Sequence, residues 1–417
     1  MTLIKTSVLS AIATAITMIN SFVVVKIIAV YIGPSGMAFI GQFQNFITVL
    51  MSFATGAING GVVKYTAEYR EDEQQKQKLW STALRVSFIA TLLTAGVISS
   101  LHHYLSAFFF KSDEFQSIFL IFSATLFLFV LNSLFIAILN GQKEIKKLVT
   151  VNIISSFVSL CLTTSFAYRW GLYGALLSYT TGQALVFFVT LVFVFKSQWF
   201  KFKFFTAKLD KNYLKKLSGY TAMALTSALT MPVSQMLIRD YIGQSISWEA
   251  AGYWEGVWRI SNSYLGLVTT TLGIYYLPRL SEIKENKELR KEIFYGYKVI
   301  LPIVISSSIA IYYLRDFIIL VLFTEKFTPM RDLFLFQIIG NIFKIASWLL
   351  GFLMHAKAMA KTFIVTEVIF SLSFLLLSIV CLESYGIVGV TISFAVNYFI
   401  YLLVLVFIFR KIIIEKL

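Results

Sequence analysis

The sequence predicts an all-helical integral membrane protein of twelve transmembrane helices in two six-span halves. Three observations predict it. First, 58% of the 417 residues are hydrophobic and only 14% are charged, with mean hydropathy +0.78. A soluble domain carries about 25% charged residues, so this chain lacks the polar surface to cover one. Second, apolar runs of the length needed to cross a bilayer, about 20 residues each, recur from one end to the other. Third, basic residues concentrate in alternate loops.

The apolar runs place spans near 7–32, 37–62, 79–101, 114–140, 148–169, 173–195, 214–239, 248–277, 293–313, 328–355, 360–382 and 386–409. The first is too long for the core of a cleaved leader and has no small-residue cleavage site at its end, so it reads as a retained span. No connecting loop exceeds about 20 residues, which leaves no room for a soluble catalytic domain. Cys161 and Cys381 both lie in apolar runs and suggest no disulfide framework.

Charge sets the orientation. Lys5, the loops 63–78, 141–147, 196–216, 278–292 and 356–361, and the C-terminal Arg410, Lys411 and Lys416 together carry 25 Lys and Arg. The alternate loops carry 6, namely Lys111, Arg169, Arg239, Arg315, Lys326 and Arg331. Cytoplasmic loops hold the basic excess, so both termini are expected in the cytoplasm. The net charge of +15 is thereby a topological signal and not a nucleic-acid footprint.

The halves resemble each other. Tyr31-Ile32-Gly33 recurs 210 residues later as Tyr241-Ile242-Gly243, and after a short insertion the offset becomes 215. Gly41 then matches Gly256, Phe43 matches Trp258, Gln44 matches Arg259 and Lys64 matches Arg279. Six spans per half keep both copies in one orientation, a parallel repeat of the kind transporters use. The expected division is a lobe at 1–200, a cytoplasmic amphipathic linker at 201–213 and a lobe at 214–417. The linker region mixes Lys with Trp199, Phe200, Phe202, Phe204 and Phe205, as an interfacial segment or a plain basic loop would.

Polar side chains inside spans are the functional clue. A charge at the bilayer centre costs about 2.5–3.5 kcal/mol on insertion scales, so it needs a partner or a water-filled cavity. Four cations qualify: Lys26, Arg239, Arg259 and Lys344. Gln337, Asn341, Lys344, Trp348, Gly351 and His355 share one helical face of the tenth span. Gly252, Glu255, Arg259, Asn262 and Gly266 do so in the eighth, Ala228, Pro232, Gln235 and Arg239 in the seventh, and Gln42, Asn45, Ser52 and Asn59 in the second. Plainer readings compete. Glu255 and Arg259, four apart, can neutralise each other. Arg239 and Lys26 can snorkel to the outer interface, and Lys26 lies on nearly the opposite face from the Ser10, Thr14, Thr17, Ser21 stripe. Glu367 suits either helix packing or a proton site. Lys344 is mid-span with no acid nearby in sequence. An excess of cations implies an anionic group such as phosphate. Phe43, Tyr253, Trp254, Trp258 and Tyr264 suit stacking on sugar rings or, individually with more weight, an ordinary lipid-facing belt. Pro232 and Pro302 bend their helices. No metal-ligand cluster, nucleotide loop or nucleophile arrangement is present in the sequence, and no cofactor is implied.

Short stretches now carry a resemblance. Lys26–Val30 (KIIAV), Gly33–Gly36 (GPSG), Asn59–Tyr69 (NGGVVKYTAEY), Tyr276–Ile283 (YLPRLSEI), Leu314–Phe317 (LRDF), Phe327–Leu333 (FTPMRDL) and Ala356–Ala358 (AKA) stand in the order and spans found in Wzx flippases. These belong to the multidrug/oligosaccharidyl-lipid/polysaccharide exporter superfamily, and the chain most resembles the enterobacterial lipid III and O-antigen flippases. The resemblance implies two six-helix lobes around a central cavity and passage of an undecaprenyl-diphosphate-linked oligosaccharide from the cytoplasmic to the periplasmic leaflet of the bacterial inner membrane. It implies roles in enterobacterial common antigen, O-antigen and lipopolysaccharide synthesis, beside a polysaccharide polymerase and a chain-length regulator. Lys26, Lys344 and Arg239 stand where these flippases carry basic residues; Arg259 departs from the pattern. The expected diphosphate and sugar contacts are Lys26, Arg239, Arg259, Lys344, Gln42, Asn45, Glu255 and Asn341, with Glu255 and Glu367 as candidate ion-coupling sites. The alternatives are an ion-coupled multidrug antiporter of the same fold and a membrane-embedded polymerase. The cation surplus speaks against the first, and the lack of a large external loop against the second. Internal duplication allows a monomer to work.

Overall fold

The computed structural model describes residues 3–413; side chains at 3–11, 219, 220, 271 and 274 are not described. Lys416 therefore lies outside the described residues, as do the side chains of Lys5 and Ser10. Among the described residues every regular element is helical. In chain order they are α1 (Leu3–Tyr31), α2 (Gly33–Ala54), α3 (Asn59–Glu68), α4 (Glu73–Phe110), α5 (Gln116–Gly141), α6 (Ile145–Phe195), α7 (Lys211–Ser245), α8 (Trp248–Thr271), α9 (Leu277–Glu282), α10 (Asn286–Tyr313), α11 (Arg315–Leu322), α12 (Phe334–Ala356), α13 (Ala360–Tyr385), α14 (Val388–Ile408) and α15 (Arg410–Ile413).

Ten of these helical stretches are long and apolar enough to cross a membrane. The sequence expected twelve, and two helices depart from that expectation. Helix α6 runs 51 residues with a reversal at Gly171, whose φ of 56° and ψ of −132° suit glycine alone. Helix α8 has 24 residues, but Glu249, Glu255 and Arg259 dilute its hydropathy. Two expected spans are also interrupted. The second ends at Ala54, because Gly56 and Ala57 take left-handed backbone (φ 65° and 52°) before α3 begins at Asn59. The eighth passes through a π-helical turn at Leu272–Tyr276 before α9.

The chain divides into two compact units. One holds the described residues up to Ile32 together with Phe39–Leu229; the other holds Gly33–Ala38 together with Thr230 onward. In the first unit, Phe43 is fully buried in a phenylalanine cluster, with ring centroids about 6 Å from Phe110, Phe119 and Phe122. It belongs to the protein core and not to a lipid-facing belt. At the other end of α4, Trp80 is fully buried. It meets Trp199, Phe204 and Phe205 at 5.2–5.9 Å and donates its indole N–H to Thr66. Ser81 donates to the Phe204 carbonyl and accepts from Ala207 N–H, while Thr82 accepts from Asp210 N–H. The stretch expected as a linker is thus packed onto α4, its lysines outermost: Lys201 and Lys203 both pair with Glu73, the latter at 3.0 Å.

Local features recur 215 residues apart. Gly386, between α13 and α14, repeats the reversal at Gly171 with φ of 58° and ψ of −150°. Lys143 and Ala358 both have left-handed φ, 57° and 53°. Thr163 and Ser178 join their helices at 3.0 Å, and Ser378 and Ser393 do so at 2.8 Å. A methyl group added to Gly174 would lie 1.9 Å from the Phe166 carbonyl oxygen; on Gly389 it would lie 2.0 Å from that of Cys381.

Candidate functional site

The second unit holds a buried charged cluster built by α7, α8, α12, α13 and α14. Ser247 starts α8 by accepting from Ala250 N–H at 3.1 Å, a cap that satisfies an otherwise orphaned donor. That start fixes the register that turns Glu255 and Arg259, one turn apart, to the same side. Arg239, near the end of α7, is 1% exposed, and its Nη2 donates to Glu255 Oε2 at 2.5 Å. Arg259 Nε donates to Glu255 Oε1 at 2.8 Å. One carboxylate therefore serves two guanidinium groups. Trp254 lies beneath Arg239, 5.6 Å from ring centroid to guanidinium carbon. The Glu255–Arg259 pairing expected from their spacing is present, but it is shared with Arg239. Arg239 does not reach for an interface, and Glu255 is not spent on Arg259 alone.

Lys344 lies on α12, 7% exposed. Its ammonium is 4.9 Å from the centroid of Trp348, 5.3 Å from Trp258 and 5.9 Å from Tyr398. Aromatic faces stabilise a desolvated ammonium by about 2 kcal/mol or more in such settings. Among the described residues, no carboxylate lies within ion-pair distance of it; Glu367 on α13 acts on it through space. Glu367 is half-buried and accepts a long hydrogen bond from Thr230, 3.4 Å. One turn before Lys344, fully buried Asn341 donates to Ser261 Oγ and Tyr264 Oη, both at 2.9 Å. Gln337 reaches Asn341 at 3.4 Å. The polar stripe of α12 thus faces protein at Gln337, Asn341 and Lys344, and emerges at exposed His355.

Ionised throughout, Arg239, Arg259, Lys344, Glu255 and Glu367 sum to +1. The two carboxylates balance two of the three cations and leave one positive charge in excess. Lys26 is half-buried on α1, Gln42 buried and Asn45 half-buried on α2, all in the first unit. The structure groups Arg239, Glu255 and Arg259, and associates Asn341 and Lys344 with α8. It keeps Lys26, Gln42 and Asn45 on other elements. Tyr398 was missed in the sequence, since nothing local marks a ring 54 positions beyond Lys344 as its neighbour.

A multi-pass helical fold whose interior holds cations is the build of a membrane transporter. The chain belongs to the polysaccharide biosynthesis protein family, whose pattern it matches over residues 3–284. It is 29% identical over 402 residues to the lipid III flippase of Escherichia coli (strain K12), 96% of each chain being covered. The lipid III flippase of Shigella flexneri matches to the same extent. Both relatives are flippases, transporters and not enzymes. Its fold is similar to that of an inward-facing multidrug resistance MATE family transporter of the MOP superfamily, with TM-score 0.77 at 14% identity over 95% of each chain. It is also similar to the lipid II flippase MurJ in an inward closed conformation. There the TM-score is 0.74 at 18% identity, over 98% of this chain and 87% of that one. At these identities the likeness is one of fold.

Proposed function

We propose that the protein moves an undecaprenyl-diphosphate-linked oligosaccharide, a lipid III or O-antigen repeat unit, from the cytoplasmic to the periplasmic leaflet of a bacterial inner membrane. The observation that carries the reading is Lys344, a buried ammonium held by aromatic rings with no ion-pair partner among the described residues, in a chain that aligns over 96% of its length with lipid III flippases. Counting α6 as two spans and α8 as one gives twelve, with both termini cytoplasmic, in lobes at 1–200 and 214–417 joined through 201–213. The lobes alternate access to a central cavity; a monomer is sufficient, and a polymerase and chain-length regulator take the delivered unit.

In this reading Lys344, Arg259, Arg239 and Lys26 stabilise the diphosphate, while Gln42, Asn45 and Asn341 bond its sugar or phosphate oxygens. The lipid tail stays in the membrane. An inside-negative potential favours outward passage of an anion by about 2.3 kcal/mol per charge per 100 mV. Glu367 and Glu255 are the groups through which a coupling ion would act. The interior charge favours this over cationic-drug export, which calls for net acidic surroundings.

The test is leaflet reversal in proteoliposomes. A Lys26→Ala, Lys344→Ala double variant that inserts and unfolds like the parent is expected to lose at least tenfold in rate on an undecaprenyl-diphosphate-linked trisaccharide. Undiminished reversal sinks the phosphate assignment.

A further inference from the structure

The first unit holds a cavity of about 550 Å³ whose lining includes Asn59, Phe129, Asn132, Ser133, Gln183 and Thr55. That is the size of a small-ligand pocket. Among the described residues that line it, none is charged. Its polar groups are organised. Thr190 Oγ donates to Asn132 Oδ1 at 2.6 Å, and Asn132 Nδ2 donates to Gln183 Oε1 at 3.0 Å. This relay holds the exposed Gln183 by its oxygen and leaves its amide N–H groups to point elsewhere. Asn59 Nδ2 donates to Ser133 Oγ at 2.7 Å, while Asn59 Oδ1 is buried with no hydrogen-bond partner. Thr48, Ser52 and Thr55 give their protons to carbonyls of their own helix, which leaves their oxygens as acceptors. The wall therefore offers donors and acceptors without charge, the pattern a neutral polyol satisfies. An anion would find no cation there, and a cationic drug no carboxylate.

The internal repeat sharpens the contrast. At the offset of 215, Phe129, Ser133 and Gln183 correspond to Lys344, Trp348 and Tyr398. The position that carries the ammonium in the second half carries the buried ring of Phe129 in the first, and where Trp348 and Tyr398 stand around that ammonium the cavity wall has a serine hydroxyl and a glutamine amide. One duplicated framework has diverged into a cationic site and a neutral hydrogen-bonding one.

We infer that the cavity between α2, α3, α5 and α6 of the first unit is the subsite for the uncharged sugars of the transported lipid. This rests on the flippase reading above, and it assigns the saccharide to a different half from the Lys344 and arginine cluster.

Two probes separate the ideas: undecaprenyl diphosphate bearing a trisaccharide with acetamido groups, and undecaprenyl diphosphate with no sugar. Each is titrated against protein in lipid nanodiscs. In Gln183→Leu, which removes the amide at similar volume, the trisaccharide probe is expected to bind about tenfold more weakly, the effect of losing one or two neutral hydrogen bonds. The sugar-free probe is expected to bind as to the parent. Ser133→Trp, which copies Trp348 and fills the cavity, is expected to act in the same direction and more strongly. Equal weakening of both probes, at unchanged melting temperature or not, means a packing role and overturns the subsite; so does unchanged binding of both. If the parent protein binds neither probe, the flippase reading itself falls, a result distinct from either.

Discussion

Arg239 and Glu255, sixteen residues apart on consecutive helices, form a buried ion pair at 2.5 Å, with side chains 2% and 5% exposed. Isolated, either charge in that setting would be prohibitive, and the pair stands because each end is also bonded elsewhere: Glu255 to Arg259, Arg239 to the face of Trp254. Removing one partner of a buried pair typically costs about 3–5 kcal/mol. The shared carboxylate makes the two ends unequal. Glu255→Leu removes the carboxylate that both arginines bond, whereas Arg239→Met leaves Glu255 its bond to Arg259 at 2.8 Å. Thermal unfolding in nanodiscs is expected to show a drop of several degrees for Glu255→Leu and a smaller one for Arg239→Met. The Arg239→Met, Glu255→Leu double variant should fall less than the sum of the two. Equal drops for the single variants would mean that Arg259 does not share the carboxylate.

The connector at 199–210 makes a pH prediction. The ammonium groups of Lys201 and Lys203 hold the Glu73 carboxyl down to about 2, from an ordinary value of 4.5. A depressed carboxyl stabilises the folded contact fully above the unfolded value, and that contribution is lost as pH falls from about 4.5 through about 2. Hydrogen exchange of the 199–207 amides, corrected for intrinsic rate, is expected to stay protected at pH 6 and to lose protection toward pH 2.5. Glu73→Gln should remove much of that pH dependence while leaving Trp80 packed. An identical pH profile in the variant would show that other groups govern the contact.

Much of this was legible in one sequence, for identifiable reasons. Helix and span are local properties, so hydropathy alone located nearly every long helix. The polar face of α12 was legible because Gln337, Asn341 and Lys344 repeat at helical spacing, and all three are buried. The break after Ala54 was missed because an apolar run continues across it; the signal was present in Gly56, which takes the left-handed backbone that ends the helix. Partner identity was the larger gap. That Arg239 pairs with Glu255 depends on how α7 meets α8, and that Tyr398 faces Lys344 depends on how α12 meets α14. Spacing along one helix carries no trace of either. The neutral cavity was invisible for a related reason, since Asn132 and Gln183 lie on different helices and neither is unusual alone.

Close backbone approach gives the last prediction. Gly174 and Gly389 stand at the same place in the two halves, each three residues after a reversal, each facing a carbonyl oxygen of the preceding helix. A methyl group there would lie 1.9 Å from Phe166 O and 2.0 Å from Cys381 O. Backbone on both sides cannot rotate away as a side chain can, so the two segments must separate, breaking the Thr163–Ser178 or Ser378–Ser393 bond beside them. Overpacking of this kind costs about 1–3 kcal/mol, and more where the neighbour is rigid. Gly96, in the middle of α4, has nothing within 4 Å of where a methyl would stand; alanine there gains up to about 1 kcal/mol of helix propensity. Gly174→Ala and Gly389→Ala are therefore expected to cut the yield of monodisperse protein and lower the melting temperature by similar amounts, while Gly96→Ala matches or exceeds the parent. A tolerant Gly174→Ala beside an intolerant Gly389→Ala would mean that the two reversals, alike in backbone angles, are not alike in packing.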